Sequence, residues 1–189
     1  MSRTVLAFPL IVAPVLMLVL TPSPLALAQQ ARPSVDQVGR ALLADLTRAG
    51  QDMASEALAQ WILASRDDAL KAGVQPIPAD IRARLKGHFP EDLLSRVRYR
   101  VGTGRDFTLQ NNAFKGNTAA ITLNEVILFR PNAKGEVDAR LWAHELTHVQ
   151  QYTRWGVRGF ARRYTLDHLG IEREAEAGEA RYAAARAAR

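Results

Sequence analysis

The chain has 189 residues, 48% of them hydrophobic, and a formal net charge of +6. That length suits one globular domain with a substantial core, and the absence of cysteine excludes a disulfide framework and thiolate zinc ligands. The modest positive charge is compatible with an anionic partner, whereas no recognisable nucleic-acid-binding motif is present, so no nucleic-acid partner is expected.

Residues 1–28 have the pattern of a secretory signal peptide. Arg3 is followed by an apolar run over residues 5–20, and a small-x-small cleavage site ends at Ala28. The apolar run is shorter than the roughly 20 residues that a membrane-spanning helix needs. We therefore expect a mature chain that begins near Gln29, is exported to the periplasm or the medium, and has no transmembrane span after cleavage. The alternative is that residues 1–28 remain as an uncleaved anchor.

The next part of the chain, residues 34–95, is predicted to be helical. Residues 29–33 are interpreted as a flexible mature N-terminus. The hydrophobic periodicity then predicts four helices: residues 34–50, residues 53–72 ended by Gly73, and two short helices opened by Pro78 and Pro90. Nothing in this half forms a catalytic constellation, so we expect it to pack against the rest and to form one wall of a cleft.

The periodicity changes to that of strands after residue 96. Val97, Tyr99 and Val101 alternate with arginines, and residues 119–123 and 126–129 read as two strands joined by a tight turn at Asn124-Glu125. An open edge of this sheet would accept a peptide as an additional strand. The alternative is that the hairpin only covers the core.

A His-Glu-x-x-His motif lies in a helix predicted to begin near Asp138. Four residues make about one helical turn, so His144 and His148 share a face and can bind one metal ion. Two neutral imidazoles suit Zn²⁺, and Glu145 is placed to take a proton from a water molecule. A separate apolar stripe predicts the face turned to the core: Trp142, Leu146 and Val149.

A catalytic zinc ion usually has three protein ligands, and a helix predicted over residues 170–187 supplies candidates for the third. Glu172 is the first choice because Glu176, one turn further on the same face, would then accept a hydrogen bond from a metal-bound imidazole. Glu174 and His168 remain open as alternative ligands. A solvated acidic helix face is the alternative for the whole cluster.

Two family resemblances follow from these motifs. The order His144-Glu145-x-x-His148 and then Glu172 resembles the gluzincin zinc peptidases, although Glu176 stands where many members have Asp. Residues 103–153, with the core His-Glu-Leu-Thr-His-Val, resemble the metallopeptidase-like core domain associated with extracellular contractile injection systems. The predicted elements make a mainly helical α+β protein, and the resemblances imply a zincin-like fold with a hairpin before the motif helix and a C-terminal glutamate helix.

We expect residues 34–189 to form this single domain, with the metal-site half at residues 96–189. The leading hypothesis is a zinc-dependent peptidase that cuts a peptide or protein substrate, in which His144, His148 and Glu172 bind Zn²⁺ and Glu145 is the general base. Three side chains are open as the donor to the developing oxyanion: Tyr152, Tyr164 and His168.

A second hypothesis is a non-catalytic exported binding or structural module that keeps a metal-stabilised zincin-like fold. A third gives residues 154–164, with four arginines among aromatic residues, a weak contact with an anionic envelope. The alternative for that segment is a solvated connector with a few packed aromatic side chains.

Overall fold

The computed structural model describes residues 35–102, 119–131 and 137–188, with side chains from Arg40 onward. The predicted signal peptide (residues 1–28) and the predicted flexible N-terminus (residues 29–33) lie outside these residues. Residues 105–118 and most of residues 131–135, which the sequence predicts to be loops, also lie outside them. The contacts divide the chain into two compact units, Met1–Ala41 and Leu42–Arg189. The functional site lies in the second unit. Among the described residues, no helix is long and apolar enough to cross a membrane.

Helix α1 (Val35–Ala72) is continuous, so the prediction of two separate helices is wrong. Gly50 lies inside it, because a single glycine costs a helix only about 1 kcal/mol relative to alanine and does not end it. Gly73 then ends the helix with a φ of 97°. Leu42, Leu43 and Leu46 recur at helical spacing in the sequence, and in the structure they are 58%, 65% and 62% exposed.

Two short helices follow, as predicted. Strand β1 (Gln75–Pro76) leads into α2 (Ala79–Leu85), and α3 (Glu91–Arg96) follows. Pro78 and Pro90 stand at the N-caps of α2 and α3, where a missing backbone N–H has no consequence. The sequence had indicated only a connector at β1, because a two-residue strand leaves no periodicity to detect.

The sheet is completed by β2 (Arg98–Val101), β3 (Ala120–Leu123) and β4 (Val126–Phe129), in the order β1-β2-β4-β3. Strands β2 and β4 are parallel, and the other two pairs are antiparallel. The predicted hairpin turn is confirmed, with Asn124 in the left-handed region at a φ of 60°.

Strand β4 separates the two halves of the core. Ile127 and Phe129 pack in one hydrophobic cluster with Trp142, and Val126 and Leu128 pack in the other. Side chains of successive strand residues point to opposite faces, so this strand is buried on both sides. The second cluster is the one that lies beside the candidate site.

The last element, α4 (Ala139–Ala187), is helical except at Gly156 and Asp167. These two residues divide it into a motif segment (139–155), a middle segment (157–166) and a glutamate segment (168–187). The interpretation of residues 154–159 as a basic loop broken by glycines is therefore wrong, because within this element only Gly156 and Asp167 leave the helical conformation. The motif segment begins where predicted and is capped by Asp138, and Asp167 accepts a hydrogen bond from the Gly170 amide and caps the glutamate segment. The mainly helical α+β fold is confirmed.

Candidate metal centre

Three side chains converge between the motif segment and the glutamate segment. His144 Nε2 and His148 Nε2 are 3.2 Å apart, and Glu172 Oε2 lies 3.5 Å from each of them. The candidate ligand atoms of these three residues all lie within 4.8 Å of one another. The structure therefore brings together the three residues chosen from the sequence as ligands.

A close helix crossing sets this arrangement. Gly178 packs on Thr147, and a Cβ added at Gly178 would overlap the Thr147 hydroxyl and lie 3.1 Å from its Cβ. The Thr147 hydroxyl is itself fixed by donating to the Ala143 carbonyl at 2.8 Å. Glycine therefore permits the approach that puts Glu172, two turns earlier on the same segment, against the histidines.

The distances fit a zinc ion. Zinc bonds of 2.0–2.2 Å to nitrogen and oxygen in a tetrahedron imply edges of about 3.3–3.5 Å between ligand atoms. The separations of 3.2, 3.5 and 3.5 Å agree with these edges. Two imidazoles and one carboxylate also leave a four-coordinate ion one position for water or substrate, as catalytic zinc sites require. The residues present therefore suit the metal that the resemblance implies.

Gln151, which the sequence reasoning missed, orients His148. Its Oε1 lies 2.8 Å from His148 Nδ1, and its Nε2 donates to the Ile171 carbonyl at 3.1 Å and to Glu174 Oε2 at 3.0 Å. Because the amide nitrogen is committed to two acceptors, the amide oxygen must accept from Nδ1–H. The Nε2 lone pair of a neutral His148 is then left facing the ligand cluster.

Charge is concentrated at this cluster. Burial alone lowers the pKa of His148, but the hydrogen bond from its ring to Glu172 and the Glu145 charge raise that pKa above its usual value. The hydrogen bonds from His144 and His148 hold the pKa of Glu172 well below its usual range. Glu172 is therefore an anion facing two imidazoles, which is the environment that a cation requires.

Glu145 lies beside the ligands and is 4% exposed. Its Oε2 accepts a hydrogen bond from the Thr122 hydroxyl at 2.6 Å. Thr122 belongs to β3, so the edge of the sheet orients the candidate general base. The sequence carried no signal for this contact, because the two residues are 23 positions apart.

A cleft of about 330 Å³ opens over these groups. Side chains from four parts of the fold line it beside the histidines: α1 with Leu58, Trp61 and Ile62; β3 with Ala120, Ile121 and Thr122; the motif segment with Glu145 and Tyr152; and the later segments with Phe160, Tyr164 and Glu172. The predicted role of the N-terminal helical half as one wall of a cleft is confirmed by α1.

The other acidic candidates do not join the cluster. Glu174 accepts from Gln151 and pairs with Arg154, and these contacts outweigh its burial and lower its pKa. Glu176 is exposed and so does not provide the expected support for an imidazole. Glu179 approaches His144 Nδ1 instead, at 3.9 Å. Glu179 follows Glu172 by seven residues, which bring a helix back almost to the same direction. Glu176 follows Glu172 by four residues, which rotate the helix about 40° past that direction, so Glu179 lies closer to the face of Glu172.

The structure also distinguishes among the three candidates for the hydrogen-bond donor to the oxyanion. Tyr152 is buried, its hydroxyl donates to the Thr122 carbonyl at 3.2 Å, and its ring stacks on Phe160. His168 is exposed and contacts the Tyr164 ring. Tyr164 lines the cleft, and burial together with the neighbouring Glu172 raises its pKa. Tyr164 is therefore a protonated donor beside the cluster.

Arginines of residues 154–164 have partners within the protein. Arg158 pairs with Glu56 and Arg162 with Asp52. Arg154 and Arg163 both lie over the Trp155 ring, at 4.9 and 4.5 Å from its centre. The two ion pairs join the middle segment to α1, and the contact of Arg163 with Trp155 joins it to the motif segment.

The fold and the site define a mainly helical α+β protein with a two-histidine, one-glutamate cluster that can hold a metal ion. Residues 76–156 match the family model of the eCIS core domain. The match begins earlier than the resemblance over residues 103–153 suggested, since it includes α2 and α3, and it ends before Glu172. No curated protein and no solved structure matches this chain.

Proposed function

We propose that this protein is a zinc-dependent peptidase that hydrolyses amide bonds in an exported setting. The observation that carries the proposal is the convergence of His144, His148 and Glu172 at zinc-compatible distances, with Glu145 beside them in an open cleft. A purely structural metal site needs no neighbouring general base and no cleft. The match of residues 76–156 covers the two histidines and the general base but names no activity.

The chemistry divides among the residues as follows. A bound zinc ion would supply Lewis acidity, which makes a water molecule more acidic and a scissile carbonyl more electrophilic. Glu145, held by the Thr122 hydroxyl, takes the proton of the attacking water and passes it to the leaving amine as the C–O bond forms and the C–N bond breaks. Tyr164 donates a hydrogen bond to the oxygen that develops negative charge.

The edge of the sheet supplies a place for the substrate backbone. Within the described residues, β3 pairs only with β4. The Ala119 carbonyl accepts from the Arg130 amide, so the antiparallel alternation turns the backbone groups of Ala120 and Thr122 away from β4. Both residues line the cleft, and an extended peptide would pair there with the backbone of Ala120 and the Thr122 amide, since the Thr122 carbonyl accepts from Tyr152.

A second candidate function is a non-catalytic module stabilised by the metal. It is favoured by the Gln151 contacts, since a metal on His148 and Glu172 would brace the same two segments that Gln151 joins. This alternative predicts zinc binding without hydrolysis of any peptide. The two functions are therefore separated by variants of the base and of a ligand.

The test is elemental analysis of the purified protein, followed by a peptide-library cleavage assay. We expect about one zinc per wild-type chain, none in His148→Ala, and one in Glu145→Gln. Hydrolysis should be absent from both variants, because the first lacks the metal and the second lacks the base. Cleavage by Glu145→Gln at the wild-type rate, or a folded wild type that takes up no zinc, would refute the peptidase.

A further inference from the structure

The cleft has an apolar wall that comes from outside the matched family region. Leu58, Trp61 and Ile62 of α1 line it, and α1 ends before residue 76, where the match begins. Spacings of three and four residues put these side chains on one helical face. The wall is therefore a feature of this chain added to the core that carries the histidines.

The neighbouring surfaces of the cleft are also apolar and closely packed. Phe160 stacks on Tyr152 at 3.9 Å between ring centres and on Tyr164 at 5.7 Å. Ile121 of β3 lies on the same cavity. Among the described residues no lysine or arginine lines it, and its charged carboxyl groups are Glu145 and Glu172. An apolar side chain would lose water there without meeting an unpaired charge, whereas an acidic side chain would be desolvated without finding a lysine or arginine partner.

Helix α1 is fixed in place over the cleft. Arg66 forms a partly buried ion pair with Glu125 in the hairpin turn, and the pKa of Arg66 is raised mainly by that hydrogen bond. Ala59 and Ala69 are fully buried on the face that packs on the protein. The apolar wall is thus formed before any substrate arrives, which reduces the ordering that binding would otherwise require.

We propose that the α1 wall is a subsite that selects substrates with a large apolar side chain next to the scissile bond, and that Trp61 and Leu58 determine this specificity. The inference rests on the proposed peptidase function and deepens it by naming the substrate class. It also favours protein segments rich in leucine or phenylalanine over acidic segments as targets. Trp61 contributes the largest surface, since aromatic side chains dominate the energetics of apolar pockets.

The test uses zinc-loaded protein and four peptide hydroxamates that differ only in one side chain: leucine, phenylalanine, glycine and glutamate. The hydroxamate binds the metal, so calorimetry reports the subsite without any need for turnover. We expect the leucine and phenylalanine probes to bind about tenfold or more tighter than the glycine probe, with the glutamate probe weakest. In Trp61→Ala the preference should fall at least threefold, because the Kd of the leucine and phenylalanine probes should rise more than the Kd of the glycine probe.

Met53→Ala is the matched control, because Met53 lies on α1, is 75% exposed and does not line the cleft. It should keep the wild-type preference. Leu58→Ala provides a second variant should Trp61→Ala unfold, and it should lower the preference in the same direction.

Equal binding of all four probes by a zinc-loaded wild type would overturn the subsite and leave the peptidase standing. Tighter binding of every probe by Trp61→Ala, by the same factor, would also overturn it, since α1 would then only obstruct the cleft. Failure of the protein to take up zinc would overturn both proposals together.

Discussion

At the scale of single residues, the candidate base depends on a neighbour that lies on another element. Thr122 donates to Glu145 at 2.6 Å, and both side chains are buried. A hydrogen bond to an ionised group is worth about 1.5–3 kcal/mol, so its loss would free the carboxylate to leave the position from which it meets water.

We therefore expect Thr122→Val to lower kcat/KM by about tenfold or more, with zinc content unchanged, because valine keeps the shape and removes the donor. Thr165→Val is the matched control, since the Thr165 hydroxyl only donates to the Ala161 carbonyl in the middle segment. Wild-type kinetics in Thr122→Val, measured on the best peptide of the library, would contradict the role of this hydroxyl.

Gln151 permits a second test, based on exchange of two side chains. Gln151→Glu should weaken zinc binding about tenfold or more, because a carboxylate cannot donate to Ile171 and would face the Glu174 carboxylate at 3.0 Å. The double variant with Glu174→Gln should recover much of the affinity, since the new amide can donate to the new carboxylate. Chelator competition measures the affinity, and equal losses in the single and double variants would rule out this contact as the cause.

Some of these site residues could be predicted from the sequence, and others could not. The histidines were found from the sequence because their spacing is one helical turn, and Glu145 was found because it completes the motif. Glu172 was preferred for a supporting Glu176, which the structure leaves exposed. Gln151 stands three residues after His148, so its place on the same side of the helix was visible, although its partners were not. Thr122 left no signal, because its contact with Glu145 exists only after β3 has packed on α4.

At the scale of elements, the crossing of the motif and glutamate segments sets the distance between the ligands. Gly178→Ala should lower the free energy of unfolding by about 1–3 kcal/mol, because a methyl group overlaps Thr147 in a closely packed interface. It should also weaken zinc binding, since Glu172 moves with its helix.

Gly50→Ala is the matched comparison, because Gly50 lies in a helix where an added methyl group meets no neighbouring atom. Nothing lies within 4 Å of a Cβ at Gly50, so alanine should stabilise the protein by about 0.5–1 kcal/mol through helix propensity. Denaturant unfolding of both variants checks the pair. Changes of the same sign at the two glycines would show that helix propensity, and not the crossing, decides the effect at Gly178.

The elements themselves were predicted where local chemistry decides them. The short helices opened by Pro78 and Pro90, the turn at Asn124 and the start of the motif helix near Asp138 each depend on a few adjacent residues, and all were found. The course of α1 was not, since Gly50 lowers helix stability without forbidding the helix. The helical middle segment was missed because its glycines suggested a loop. Gly156 does leave the helix, with a φ of 67°, but the chain resumes the helix at the next residue and leaves it again only at Asp167.

At the scale of the whole molecule, a metal would join parts of the chain that are far apart in sequence. His144 and Glu172 are 28 positions apart (172 minus 144), so the unfolded chain has no comparable preformed site. An ion that binds only the folded state stabilises it by about 4 kcal/mol at a concentration of a thousand times Kd. We expect added zinc to raise the Tm and a chelator to lower it.

The same scan on His148→Ala should show no zinc-dependent change in Tm, because one ligand of three is missing. A wild type whose Tm is indifferent to both zinc and chelator would contradict the metal centre. A zinc-dependent Tm in a protein that cuts no member of a broad peptide library, including those with leucine and phenylalanine, would favour the non-catalytic module.

What the sequence by itself determined are the features encoded by neighbours along the chain. These are the helical and extended segments, the caps and turns, the apolar stripe through Trp142, and the metal motif on one helical face. Only the tertiary structure decided which glutamate meets the histidines, what holds Glu145 and His148, and which helix of the N-terminal half forms the wall of the cleft. The physical reason is that these contacts depend on the distance of a helix crossing, such as Gly178 on Thr147, and no local periodicity records that distance.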